Sequence, residues 1–269
     1  MIDLSFWFMF PVATVIATIA MMAGIGGAVM FAPFFMLVLK LDPLLALGAG
    51  LVIEFFGFSS GMIGYWRKHE ISFDTVKKII LFTVPATVAG VFLGRVISSY
   101  ILQVMLTLLL FYLASQFLLS GKECQPKDPR STGVSGIGRN WEVSWTTKLV
   151  SLLGGLIVGM ISAGLGEINE VTFLKRMKLP VAVASATSVF LVAVSAFAGS
   201  IIHAYFLIAE RSASVFIDVA SILVFTVPGV IVGAQIGVFL ANHTNPRVMG
   251  RFVGILFLIL AILTLLLVI

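Results

Sequence analysis

Charge is what this chain lacks. Only 11% of its 269 residues are Asp, Glu, Lys or Arg, while 60% are hydrophobic. A soluble domain carries charge at about 25% of its positions, so a water-exposed globule is excluded. Cysteine is almost absent: the single Cys124 rules out an intrachain disulfide framework. His69, His203 and His243 are scattered, and no His/Cys cluster has metal-ligand spacing. No metal or other cofactor is expected. No nucleophile–base pair is apparent, so the chain is not expected to be an enzyme. The first basic residue is Lys40, so the basic n-region of a signal peptide is missing and the first apolar segment is expected to be retained.

What is present is a series of uncharged runs: Leu4–Leu39, Val96–Gly121, Leu149–Gly166, Leu179–Ala209, Val219–Pro246 and Phe252–Ile269. A spanning helix needs roughly 20 apolar residues. All but the first run have room for one helix; the first is too long and contains a break. The net charge of +5 arises from bases clustered between these runs. There they set orientation in a bilayer, and no nucleic-acid partner is implied. An all-α polytopic protein of the plasma membrane is expected.

The chain also repeats itself. Phe82-Thr-Val-Pro-Ala-Thr-Val-Ala-Gly-Val-Phe-Leu-Gly94 returns as Phe225-Thr-Val-Pro-Gly-Val-Ile-Val-Gly-Ala-Gln-Ile-Gly237. Repeats within a polytopic chain characterise secondary transporters, whose substrate site lies where the halves meet. Hydrophobicity predicts five segments per half, at 5–23, 28–40, 43–65, 79–97 and 101–119, then 149–165, 167–177, 180–204, 215–240 and 248–268. The second of each set is too short to cross alone. With its predecessor it is expected to form a broken or re-entrant hairpin. Residues 1–120 and 149–269 are therefore read as two repeats, joined by a polar linker at 121–148.

Basic residues predict the orientation. Arg67, Lys68, Lys77 and Lys78 flank one loop, Lys122 to Lys148 populate the linker, and Lys175, Arg176 and Lys178 follow the second hairpin. All become cytoplasmic if each hairpin returns its chain to the side it left, or if both of its arms cross. The repeats are then inverted, both termini lie outside, and Arg95 is an exception at the outer surface.

Two glycine breaks carry the candidate chemistry: Gly24-Ile-Gly26-Gly27, and Ala163-Gly164-Leu165-Gly166. A break inside a bilayer frees backbone groups that need partners or a wet cavity. Each restarting segment presents a helix N-terminus, whose unpaired N–H groups and dipole attract anions. Tight helix packing alone would also use such glycines.

These motifs carry a resemblance. Gly24-Ile-Gly-Gly27 followed by Pro33, the stretch Ala46-Leu-Gly-Ala-Gly50, and the loop Tyr65-Trp-Arg-Lys-His69 resemble the TauE/SafE sulfite exporter family. Ala184-Ser-Ala-Thr-Ser188 is similar to that family's AxGTS-type stretch, and Pro85–Gly94 and Pro228–Gly237 fit its pattern. The resemblance covers nearly the whole chain outside the linker. It implies export of small sulfur-containing anions such as sulfite or organosulfonates. Two positions depart from it. The second break runs into Gly166-Glu-Ile-Asn-Glu170, and the first-half counterpart of Thr187-Ser188 is Ala49-Gly50.

Gly24, Gly26, Gly27, Gly164, Gly166, Ser185, Thr187, Ser188 and Asn169 are accordingly the candidate substrate-binding residues. Hydroxyls donate to oxyanions without fixing a permanent charge. Glu54, Glu167 and Glu170 are candidates for proton coupling, because a carboxyl in hydrocarbon is costly and usually faces a cavity or partner. Glu54 lies mid-segment with no other charge beside it, and its counterpart falls near Val192. Lys175 and Arg176 could instead pair with Glu167 and Glu170. The expected partners are a small anion, the bilayer and a coupling proton; the sequence leaves oligomeric state open. A cation or proton-coupled carrier built on the three acids is the alternative.

Overall fold

The computed structural model describes residues 3–22, 25–119, 141–210, 212–241 and 246–268. Among these residues the chain is all helical, without a strand. A short 3₁₀ turn, Leu4–Phe8, leads into α1 (Met9–Met22). There follow α2 (Ala28–Leu37), α3 (Pro43–Arg67), α4 (Phe73–Val96) and α5 (Ser99–Leu119). The second set is α6 (Trp145–Ile161), α7 (Leu165–Lys175), α8 (Val181–Glu210), α9 (Ala213–Ala241) and α10 (Pro246–Val268). Among the described residues, seven spans are long and apolar enough to cross a membrane: the 3₁₀ turn with α1, then α3, α4, α5, α8, α9 and α10. The outer face is correspondingly apolar, with Leu81, Val96 and Leu108 among its exposed residues.

Local chemistry sets the helix ends. Asp42 accepts from the Leu44 amide at 3.0 Å, and Pro43 fills the first helical position of α3, where its missing N–H costs nothing. Ser144 caps α6 through the Thr147 amide at 3.3 Å. Predicted and observed boundaries differ most at α4 and α8. α4 starts at Phe73, because its first turn is amphipathic and packs inward through Val76. α8 runs on to Glu210, beyond the expected end at Ala204, because Arg95 anchors Glu210.

Helices pair across the two sets. α1 packs on α9, and α4 packs on α6. α5 meets α10, α3 meets α8, α4 also touches α8, and α3 also touches α9. Exchanging the two sets reproduces this pattern. Glycines make the closest approaches possible. A Cβ on Gly155 of α6 would lie 2.6 Å from the Thr83 carbonyl of α4, and one on Gly237 of α9 would lie 2.6 Å from the Thr18 carbonyl of α1. No larger residue fits at such contacts without displacing backbone. Gly90 and Gly159 face each other in the same way, as do Gly233 and Thr14. The repeated glycine elements are therefore helix-packing surfaces. Gln235, within one of them, donates from Nε2 to the Ser60 carbonyl at 3.1 Å and to Ser60 Oγ at 2.8 Å.

Candidate functional site

The two hairpin breaks converge on one face of α3. That face is Gly50, Glu54 and Phe58, each about one turn from the next. A Cβ on Gly50 would touch the Ser162 side chain at 3.3 Å and Ala28 at 3.7 Å, which belong to the second and first breaks respectively. A Cβ on Gly26 would lie 3.1 Å from Glu54 Oε1 and 3.1 Å from the Phe58 ring, and one on Gly166 would lie 3.9 Å from the same ring. Gly27 caps α2, so Glu54 stands beside that helix's N-terminus. Gly24 lies outside the described residues.

The second break is sharply turned. Ser162 takes a left-handed conformation (φ 57°), as does Gly164 (φ 106°), where glycine avoids a Cβ clash. Ser162 Oγ donates to the Leu47 carbonyl and so ties this break to α3. Ser188 of α8 donates to the Gly166 carbonyl at 2.8 Å. A Cβ on Gly166 would meet Val192 at 3.5 Å. Gly26 thus faces Glu54, and Gly166 faces Val192, the position that the sequence register pairs with Glu54.

Glu54 is 3% exposed, and its Oε2 has no hydrogen-bond partner. It lies close enough to Glu167 for the two charges to repel. A cavity of about 10 Å³ touches it, lined also by Gly27, Ile53, Gly57 and Phe58. That is about the space one water requires. Asn169 is fully buried; its Oδ1 accepts from Ser151 Oγ at 2.8 Å while its Nδ2 has no partner.

The remaining candidates divide. Ser185 Oγ donates to Glu170 Oε1, so these two form their own pair. Thr187 does not turn to the breaks: its Oγ1 accepts from the Ser72 amide at 3.1 Å. Two residues that sequence alone did not select, Ser162 and Phe58, join the breaks to α3. Ser162 was legible as a small polar residue before the Ala163-Gly164 pair. Phe58 carried no distinguishing signal among so many phenylalanines.

A larger cavity, about 120 Å³, lies towards the other end of α3. Leu44, Gly48, Ala49 and Val52 line it, with His203, Phe216, Val219 and Leu223 opposite. Arg95 stands in its wall, ion-paired to Glu210 and 3.9 Å from the Phe206 ring centroid. His203 is thus a wall residue of this cavity, packed on Gly48. α8 continues past it to Glu210.

At the opposite end, Tyr65, Ile71, Phe173 and Leu179 share a core cluster against which Trp141 and Met177 pack. The Lys78 ammonium donates to the Trp141 carbonyl at 3.1 Å. The loop bearing Arg67, Lys68, Lys77 and Lys78 and the segment bearing Lys175, Arg176 and Lys178 therefore meet at one end of the bundle, beside Trp141; Lys122, Lys127, Arg130 and Arg139 lie outside the described residues. The Glu70 carboxyl is buried there, which raises it above its ordinary value against the opposing charge of Lys68.

Comparison with known proteins agrees with this architecture. The chain is 21% identical over 246 residues to the probable membrane transporter protein YjnA of Bacillus subtilis (strain 168), with 86% of each chain covered. No solved structure matches. The family model for the sulfite exporter TauE/SafE matches residues 9–264, nearly the whole length. This chain belongs to the TauE/SafE sulfite exporter family of membrane transporters.

Proposed function

We propose that the protein is a secondary carrier that exports small sulfur-containing anions, such as sulfite or organosulfonates, coupled to protons. Residues 1–120 and 149–269 act as inverted repeats that rock about a site at the two breaks. The linker at 121–148 is cytoplasmic and both termini lie outside. The observation that carries this is the convergence of both breaks on Gly50, Glu54 and Phe58. Helix N-termini and freed backbone N–H groups attract an oxyanion; Ser188 holds the Gly166 carbonyl at the second break, and Asn169 lies further along α7. No Lys or Arg is among the described residues lining the small cavity at Glu54. Capture by dipoles alone is weak, as release on the far side requires.

Glu54 gives the coupling. A charged carboxylate beside the α2 N-terminus occupies the electrostatic place that a substrate anion would take, and it would repel that anion. Protonating Glu54 removes the repulsion, so proton and anion bind together. Glu167 adds a second carboxyl within reach, and Glu170 is held by Ser185.

Labelled-sulfite counterflow in proteoliposomes tests the proposal. Accumulation that depends on internal sulfite is the expected result, with sulfonates competing. A second possibility, a cation or proton-coupled carrier, draws on the three acids Glu54, Glu167 and Glu170, with no Lys or Arg among the described residues lining the cavity at Glu54. Divalent cations, and not sulfite, would then slow flux; that outcome would reverse the assignment.

A further inference from the structure

The connection between α3 and α4 turns into the protein at the end that carries Arg67, Lys68, Lys77 and Lys78. His69 is left-handed (φ 53°), and the amides of His69 and Glu70 return to the carbonyls of Trp66 and Tyr65 at 3.0 and 3.2 Å. That pattern is a Schellman motif, and it fixes the direction in which the chain leaves α3. Ile71 then enters the cluster of Tyr65, Val76, Phe173, Leu179 and Val183 and is 2% exposed. Ser72 is fully buried. Its amide donates to Thr187 Oγ1 at 3.1 Å, and its hydroxyl shares a hydrogen bond with Thr75 Oγ1 at 2.9 Å. Thr187 precedes Ser188, which holds the Gly166 carbonyl at the second break. The loop is thereby tied to the helix that bears the candidate site.

The duplication supplies an internal comparison. In the sequence register of the repeats, Val76 and Ile80 of α4 correspond to Val219 and Leu223 of α9. Ala186, Thr187 and Phe190 of α8 correspond to Gly48, Ala49 and Val52 of α3. The second member of every pair lines the 120 Å³ cavity. The first members are closed together beneath the loop: Val76 and Ala186 are buried in the cluster, Ile80 and Phe190 pack against it, and Thr187 is bonded to Ser72. At the cavity end, α8 reaches Glu210 and α9 starts at Ala213. So short a connection cannot reach inward. The same shell of positions is therefore plugged at one end and hollow at the other.

We propose that Glu70-Ile71-Ser72 is a gate, closed in this structure, whose latch is the Ser72 amide on Thr187, and that the cavity behind Arg95 is the matching passage on the open side. This rests on alternating access between the repeats. When the carrier turns over, the loop withdraws from beneath Tyr65 and the cavity collapses around Phe216 and Leu223.

Single-cysteine accessibility in a Cys124→Ser background tests the gate without any substrate. Ala220→Cys reports the cavity and Ala186→Cys reports the space under the loop. Both are exposed to a charged thiol reagent in vesicles of each orientation, after gel filtration shows a folded protein. Ala220→Cys should react and Ala186→Cys should be protected. Adding Thr187→Val keeps the side-chain shape but strands the Ser72 amide, and should raise the Ala186→Cys rate about tenfold, as loss of one buried hydrogen bond shifts a two-state equilibrium. Ile71→Ala, which removes the plug, should do the same. Equal reaction at both sites with the loop intact would overturn the gate, as would rates unmoved by both loop variants. If the asymmetry holds while sulfite counterflow is absent, the gate stands and the anion assignment falls. If counterflow occurs with Ala186→Cys freely reactive, the reverse is true.

Discussion

Glu54 is the residue on which the proposed coupling turns. It is buried, lacks a partner at Oε2, and faces the break that glycine keeps open. Glu54→Gln mimics the protonated acid in shape and charge. It should retain sulfite counterflow and lose the dependence of sulfite binding on pH, which in the wild type should amount to about 5–150-fold, the range of typical coupled sites. A Gln variant that keeps the full pH response would remove Glu54 from the coupling step. Glu70 gives a different pH signature. Its carboxyl is raised by burial, so the folded protein holds this proton more tightly than the unfolded chain does. Stability should therefore decline as pH rises from the ordinary carboxylate range through the raised value. Thermal unfolding in detergent across that window should show the decline, and Glu70→Gln should flatten it.

At the scale of elements, the repeated glycines act through contact. Gly155 and Gly237 lie where a Cβ would come within 2.6 Å of a neighbouring carbonyl oxygen. Overpacking of this kind costs on the order of 1–3 kcal/mol, so Gly155→Ala and Gly237→Ala should each lower the unfolding temperature. Gly64 of α3 has nothing within 4 Å, and Gly64→Ala should be neutral or stabilising by up to ~1 kcal/mol, the gain in helix propensity. Equal effects at all three positions would mean that propensity, not contact, governs. These elements were largely legible in the sequence. Hydrophobic segments located the long helices, and glycine breaks before short segments located α2 and α7. Helix ends were not legible where a distant partner set them: nothing local to Glu210 announces Arg95, which holds the last turns of α8. The site was half legible for the same reason. Gly26, Gly166, Ser188 and Glu54 do gather, whereas Thr187, alike in composition, is claimed by Ser72 of the loop between α3 and α4.

The whole molecule is held together between its halves more than within them. α1 finds its main contact in α9, and α4 in α6. α5 lies against α10, and α3 against α8. Taken alone, residues 1–120 would leave the glycine face of α4 and the small-residue face of α1, Ala13 and Ala17, without the helices that fit them. Lipid is as apolar as those helices but cannot match their surface, so the loss is one of packing, not of hydrophobic burial. Each half expressed separately should aggregate or be degraded. Coexpression of residues 1–120 with residues 141–269 should give a complex that copurifies through a tag on one half and binds detergent as a single species. If either half alone is monodisperse and protease-resistant, the interleaved contacts are not what stabilises the fold. If the halves copurify yet Gly237→Ala in one of them does not weaken the complex, the α1–α9 seam is not where they hold.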